Sequence, residues 1–215
     1  KNNIKQNLYK ILNTVKEAQK KHKNAAKKIK IITATKNQTL EKIQKALKEG
    51  LKIIGENRIQ EAETKQIASK IKAEKHFIGH LQSNKTKKAI QIFDVIQTAD
   101  SIKIIKKINE QAKKINKKQK IMIQINTGRD EKKYGFMPEE INDIHVQIKT
   151  LKNIKIIGIM TIAPRNKTKK ELRKIFKETK KIQIKTNKNI KECINISMGM
   201  SGDYKAAILE GTTMI

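Results

Sequence analysis

A chain of 215 residues, 37% of them hydrophobic and 33% charged, can bury one sizeable core, and with only 3% aromatics that core must be aliphatic. The formal net charge of +30 invites a nucleic-acid reading, but the 46 lysines are spread over every segment, the arginines number four and aromatics are scarce, so specific nucleic-acid binding is not expected and only non-specific sticking at low salt is. One cysteine (Cys193), no apolar h-region in the opening KNNIKQNLYKIL and no apolar run of membrane length lead to the expectation of a cytoplasmic protein without disulfide or membrane span.

The apolar pattern alternates between two periods along the chain. Ile4, Leu8, Ile11, Leu12 and Val15 recur at helical spacing before the first β-branched run, 29–35 (IKIITAT). A helix over 39–49, carrying Leu40, Ile43, Ala46 and Leu47, leads to a strand at 52–54. The pattern then predicts a helix over 57–72, a strand at 75–79, a helix over 83–91 and a strand at 93–98. Asp100 reads as the start signal of a helix over 100–118, which precedes a strand at 120–126. Pro138 opens a helix over 138–149 before a strand at 154–161. Helices over 167–185 and 203–210 alternate with strands at 192–197 and 212–215. Eight strands alternating with helices predict a single (β/α)₈ barrel. An open doubly wound sheet would share the alternation, but no G-x-G-x-x-G follows the first strand.

In such a barrel, chemistry belongs where strands hand over to helices. The least generic residues fall there: Lys36 after strand 1, Gly55-Glu56-Asn57 after strand 2, Gly79-His80 after strand 3, Asn126-Thr127-Gly128 after strand 5, residues 160–164 (MTIAP) after strand 6, and SMGMS (197–201) after strand 7. The serine–glycine turn opening a helix presents free N–H groups and hydroxyls, an arrangement that holds a phosphate. The plain alternative is a helix N-cap made by Ser201 or Asp203. Lys36 at the barrel mouth would be partly desolvated, which lowers a lysine pKa from about 10.4 and frees an amine able to attack an aldehyde. The plain alternative is an ordinary loop lysine. His76 and His80 are four apart with no HExxH around them, so no metal site is read there. Met160, Met198 and Met200 could pack on a ring or simply fill core.

Taken together, ATK (34–36), GENRIQEA (55–62), HFIGHLQSNK (76–85), IQIN (123–126) with KYGF (133–136), GIMTIAP (158–164) and SMGMSGDYKAAILEGTTMI (197–215) resemble the pyridoxal 5′-phosphate homeostasis proteins, which are related to the barrel domain of alanine racemases. The resemblance spans almost the whole chain. It implies one alanine racemase N-terminal domain-like barrel of the fold type III class, holding pyridoxal 5′-phosphate (PLP) as a Schiff base on Lys36. It also implies a phosphate site at Ser197, Met198, Gly199 and Ser201, with Asn57 and Met160 in the pocket. The implied role is buffering or delivering PLP without established catalysis, which leaves open whether PLP-dependent apo-enzymes receive it or it is only stored. With no obvious dimerisation segment in the sequence, a monomer is expected.

Members of the family usually continue past strand 8 with an Arg-x-Gly turn, whereas this sequence stops at Ile215. The expectation is a single domain over 1–215 without that last turn; either the sequence is incomplete or the pocket is short of cofactor contacts on one side. A PLP-dependent amino-acid racemase is the enzyme alternative. It needs an acid or base on each face of the α-carbon, and neither Tyr134 nor Tyr204 has a reason to take the second face. A PLP-independent sugar-phosphate enzyme would share SMGMS but not the motifs at 55–62 and 76–85.

Overall fold

The β-branched runs pair in the order in which they occur. In the computed structural model, which describes residues 4–215, β1 (Ile32–Ala34), β2 (Ile53–Glu56), β3 (Glu74–Phe77), β4 (Val95–Ala99), β5 (Gln119–Gln124), β6 (Ile154–Met160) and β7 (Asn195–Ser197) form one parallel sheet with each strand beside its sequence neighbour. Residues 213–215 close the ring. Met214 bridges in parallel to both Lys30 and Ser197, the Ile32 N–H donates to Ile215 O at 2.7 Å, and the Met198 N–H donates to Met214 O at 3.2 Å. The strand expected at 212–215 is thus the eighth stave, reduced to a few bridges, and the fold is the predicted barrel.

Parallel neighbours need a crossover, and helices supply it. α1 (Ile4–Lys21) precedes the ring, and α2 (Leu40–Lys48) follows β1. The long helix expected over 57–72 is instead two short ones, α3 (Ile59–Thr64) and α4 (Ile67–Lys70). The break lies at Gln66, which takes a left-handed φ of 53°, directly after Lys65 turns its ammonium towards the end of β1. α5 (Thr86–Ile92), α6 (Ile102–Lys114), α7 (Ile141–Ile148), α8 (Lys169–Asn189) and α9 (Tyr204–Leu209) complete the outer layer. Their starts follow local chemistry. Thr39 accepts from the Lys42 N–H at the head of α2, and Thr168 and Glu171 form a reciprocal capping box on α8. α6 is capped by Ser101, which accepts from the Ile104 N–H, and not by Asp100 as expected. Pro138 opens a 3₁₀ turn, Pro138–Glu140, that leads into α7.

Two aliphatic layers result. Inside the ring, Val95, Met122, Met160 and Met214 pack together with Ile32 and Ile157 at their edge, so the barrel is filled rather than hollow. Outside it, Ile43, Ile90, Ile105 and Ile144 from the helices meet Phe77 and Ile123 from the strands. Each such side chain, once buried, contributes about 1.5–3 kcal/mol. Among the described residues, no helix is long and apolar enough to cross a membrane.

Candidate functional site

Lys36 sits on a tight turn at the end of β1. The Gln38 N–H donates to Thr35 O at 3.1 Å, and Asn37 adopts the left-handed φ of 58° that asparagine tolerates. The backbone on either side of Lys36 is tied to α3. The Thr35 hydroxyl donates to Glu56 Oε1 at 2.7 Å, Lys65 Nζ donates to Thr35 O at 2.6 Å, and the Asn37 N–H donates to Glu61 Oε1. Lys65 joins the two carboxylates at 2.8 Å from Glu56 and 2.7 Å from Glu61. Burial works against the Lys65 charge, but the hydrogen bonds it donates to Glu56 and Glu61 outweigh that and raise its pKa. The Glu61 carboxyl is held below the usual range, chiefly by its hydrogen bond with Lys65. Lys36 itself is exposed, not partly buried as its place after a strand suggested. Its amine has no hydrogen bond or ion pair among the described residues.

The parallel register Ala34↔Gly55 sets Lys36 level with Asn57 at the end of the next strand. Asn57 Oδ1 is buried and has no hydrogen-bond partner among the described residues, an arrangement that costs free energy unless a ligand fills it. Gly79 lies against the backbone of Asn57 so closely that a Cβ there would stand 2.0 Å from Asn57 O. That explains a glycine in HFIGH. On the other side of the closing segment, Met160 and Ser197 are register partners on β6 and β7. Met160 belongs to the filling of the ring. The Ser197 hydroxyl points inward and donates to Gln97 Oε1 at 2.7 Å.

The turn read as a phosphate site follows β7, and two of its residues are engaged elsewhere. The Met198 side chain faces away from the rim and packs with Phe176 and Ala207 between the sheet, α8 and α9, so only its backbone reaches the turn. The Met200 N–H is occupied by Asp203 Oδ1. The N–H groups of Gly199, Ser201 and Gly202 have no acceptor among the described residues, and the Ser201 side chain is exposed without a partner. Gly199 has a φ of +97°, and a Cβ there would meet Ala207 Cβ at 2.7 Å and Tyr204 Cα at 2.8 Å. Only glycine lets α9 seat this close behind the turn.

Several rim contacts are not foretold by the sequence pattern, even at His80, which that pattern already sets on the rim. His80 Nδ1 is 2.8 Å from Asp100 Oδ2, and the His80 ring stacks on Tyr134 with centroids 3.6 Å apart and planes 9° from parallel. The aspartate that resembled a helix start is used by a histidine instead. Lys65 looked like one more solvated helix lysine, and no period marks it out. A cavity of about 570 Å³ lies at the opposite end of the barrel, around His145, Lys155 and Asn189. It contains neither Lys36 nor any rim motif, so the rim remains the candidate site.

Comparison with known proteins agrees with this geometry. The alanine racemase N-terminal domain family matches residues 3–215. A pyridoxal phosphate homeostasis protein from Synechocystis sp. is 36% identical over 190 residues, covering 87% of each chain. The crystal structure of an unknown protein from Bifidobacterium adolescentis superimposes with a TM-score of 0.91 at 28% identity, covering 98% of this chain and 91% of that one. The structure of PipY from Synechococcus elongatus with PLP bound superimposes with a TM-score of 0.81 at 27% identity, covering 94% and 95%. With motifs, fold and rim all in agreement, the chain belongs to the alanine racemase N-terminal domain family and, within it, to the pyridoxal phosphate homeostasis proteins.

Proposed function

We propose that this chain binds PLP and serves PLP homeostasis, storing the cofactor on Lys36 rather than turning over a substrate. The observation that carries the reading is the exposed, partnerless Lys36 amine on a backbone clamped from both sides at the barrel mouth. When bound, the cofactor supplies an aldehyde that amines attack reversibly. The residues present fit such a group. Asn57 offers a buried, unpaired amide oxygen level with Lys36, and the free amides of Gly199, Ser201 and Gly202 with the Ser201 hydroxyl offer donors for a phosphate. Met160 gives an apolar floor beside Ser197.

An exposed lysine serves release as well as capture, because an amine arriving from outside can reach the same carbon that Lys36 holds. On this reading residues 1–215 act as one PLP-binding domain, monomeric and cytoplasmic, handing the cofactor to PLP-dependent apo-enzymes. A racemase is less well supported. The rim tyrosine Tyr134 lies flat on His80, and nothing marks it as a second proton donor.

The test is to mix the protein with PLP, reduce with borohydride and locate the modified lysine by mass spectrometry, with Lys36→Ala run in parallel. Stoichiometric labelling at Lys36, absent from the variant, is the expected result. Labelling scattered over many lysines and unchanged in Lys36→Ala would overturn the reading.

A further inference from the structure

A ring filled with isoleucine and methionine has no packing need for a line of polar groups, yet one crosses it. The Ser197 hydroxyl donates to Gln97 Oε1 at 2.7 Å, and Gln97 Nε2 donates to His76 Nδ1 at 2.6 Å. All three residues are buried, His76 completely. His76 Nε2 lies 3.3 Å from Glu74 Oε1, off the line of a good hydrogen bond, and Glu74 Oε2 lies 3.9 Å from Lys30 Nζ. Ser197 ends β7 whereas Glu74 begins β3, so the line runs from the rim to the opposite mouth.

Each link has a fixed direction. An amide nitrogen only donates and an amide oxygen only accepts. His76 Nδ1 therefore bears a lone pair, Nε2 carries the ring proton, and the single Ser197 proton points into the barrel. Towards the rim Ser197 presents lone pairs alone, which repel a phosphate oxygen.

We infer that Gln97 and His76 are positioning residues for the phosphate end of the ligand: a phosphate seated at Ser197 reverses this line, and His76 takes up one proton. The inference rests on the PLP reading above and adds a direction and a proton count to it. For Ser197 to donate outward, Gln97 must turn over, so that Nε2 donates to Ser197 Oγ and Oε1 faces His76. His76 Nδ1 then needs a hydrogen. Moving the ring proton across from Nε2 would set a bare lone pair against Glu74. Glu74 Oε1 stands 3.3 Å from that nitrogen and Glu74 Oε2 3.9 Å from Lys30 Nζ, so a carboxylate with a cation behind it faces the ring. The proton therefore comes from the bulk buffer, whose acid form is left as its conjugate base, the ring becomes an imidazolium, and Glu74 is already in place to face it. The other groups on the line, Gln97 from β4 and Ser197 from β7, are uncharged. One proton is taken up for each phosphate seated, and no heavy-atom bond is made or broken in the line.

The experiment uses the whole chain with ¹⁵N-labelled histidine, of which there are four, the His76 signals being assigned with His76→Gln. At pH 7.5 the His76 nitrogens should move from the neutral Nε2–H pattern to the imidazolium pattern when PLP saturates Lys36. They should not move with pyridoxal, which lacks the phosphate. In Ser197→Ala and in Gln97→Met the ring should stay neutral at PLP concentrations that saturate Lys36. A His76 ring that stays neutral in the parent protein while Lys36 is saturated would overturn the relay and leave the carrier reading standing. Failure of PLP to attach to Lys36 at all would remove the carrier reading, and the relay with it.

Discussion

A long, flexible side chain on a turn is only as well placed as the backbone beneath it. For Lys36 that backbone is secured by residues that never touch the amine: Glu56, Glu61 and Lys65 hold the flanking Thr35 and Asn37. Glu56 is fully buried and Lys65 nearly so, with side-chain exposures of 0% and 11%. Replacing Lys65 with methionine would leave a buried carboxylate without its cation, at a cost of about 3–5 kcal/mol. Urea denaturation should show a loss of that size for Lys65→Met, and slower borohydride-trapped labelling of Lys36 in whatever fraction still folds. The pH dependence has a definite sign. The Lys65 pKa is raised, so its contribution is complete below the unfolded lysine value and is lost as pH climbs through the folded one. The Glu61 pKa is lowered, so its contribution is complete above the unfolded carboxyl value and fades as pH falls through the folded one. The clamp is therefore intact across the neutral range. Lys36 was legible in the sequence because it directly follows a strand. Lys65 was not, because an inward turn of one helix lysine depends on where a neighbouring strand ends.

Among the elements, the strands were the easiest to read, since β-branched runs mark them directly. Their limits were not. β1 was expected over 29–35 and is Ile32–Ala34, because pairing stops where the partner turns away and not where the isoleucines stop. The helix expected over 57–72 kept its apolar period across Gln66, and only the left-handed backbone there divides it. The turn before α9 shows the opposite case, a conformation that its glycine announced. Gly199→Ala would combine a positive φ with contacts of 2.7 and 2.8 Å to α9, a strain of about 1–3 kcal/mol. The expected outcome is a lower melting temperature together with a larger loss of affinity for PLP than for pyridoxal, read by fluorescence titration. Equal losses for both ligands would disconnect this turn from the phosphate.

At the scale of the molecule, a net charge of +30 repels itself. Added sodium chloride should therefore raise the melting temperature, and the same salt should release the protein from heparin or DNA, since that adhesion is counterion-driven. A melting temperature that stays flat between low and physiological salt would mean that the local ion pairs already absorb the repulsion. The barrel class was legible because alternation of strand and helix survives even in a sequence so rich in lysine. The polar line through its interior was not, because Gln97 meets His76 from the neighbouring strand but Ser197 from a strand a hundred residues away in the sequence.

The seam at residues 213–215 bears on how the protein is made. Lys30 and Met214, which meet there, lie at nearly opposite ends of the sequence. During synthesis β1 emerges early and waits, with one edge unpaired, until residue 214 clears the ribosome. Until then the nascent chain is an open curl of parallel strands, the kind of edge that another chain can join. The ring shuts only once Met214 reaches Lys30 and Ser197, and the hydroxyls, amides and amine of the rim come into register only then.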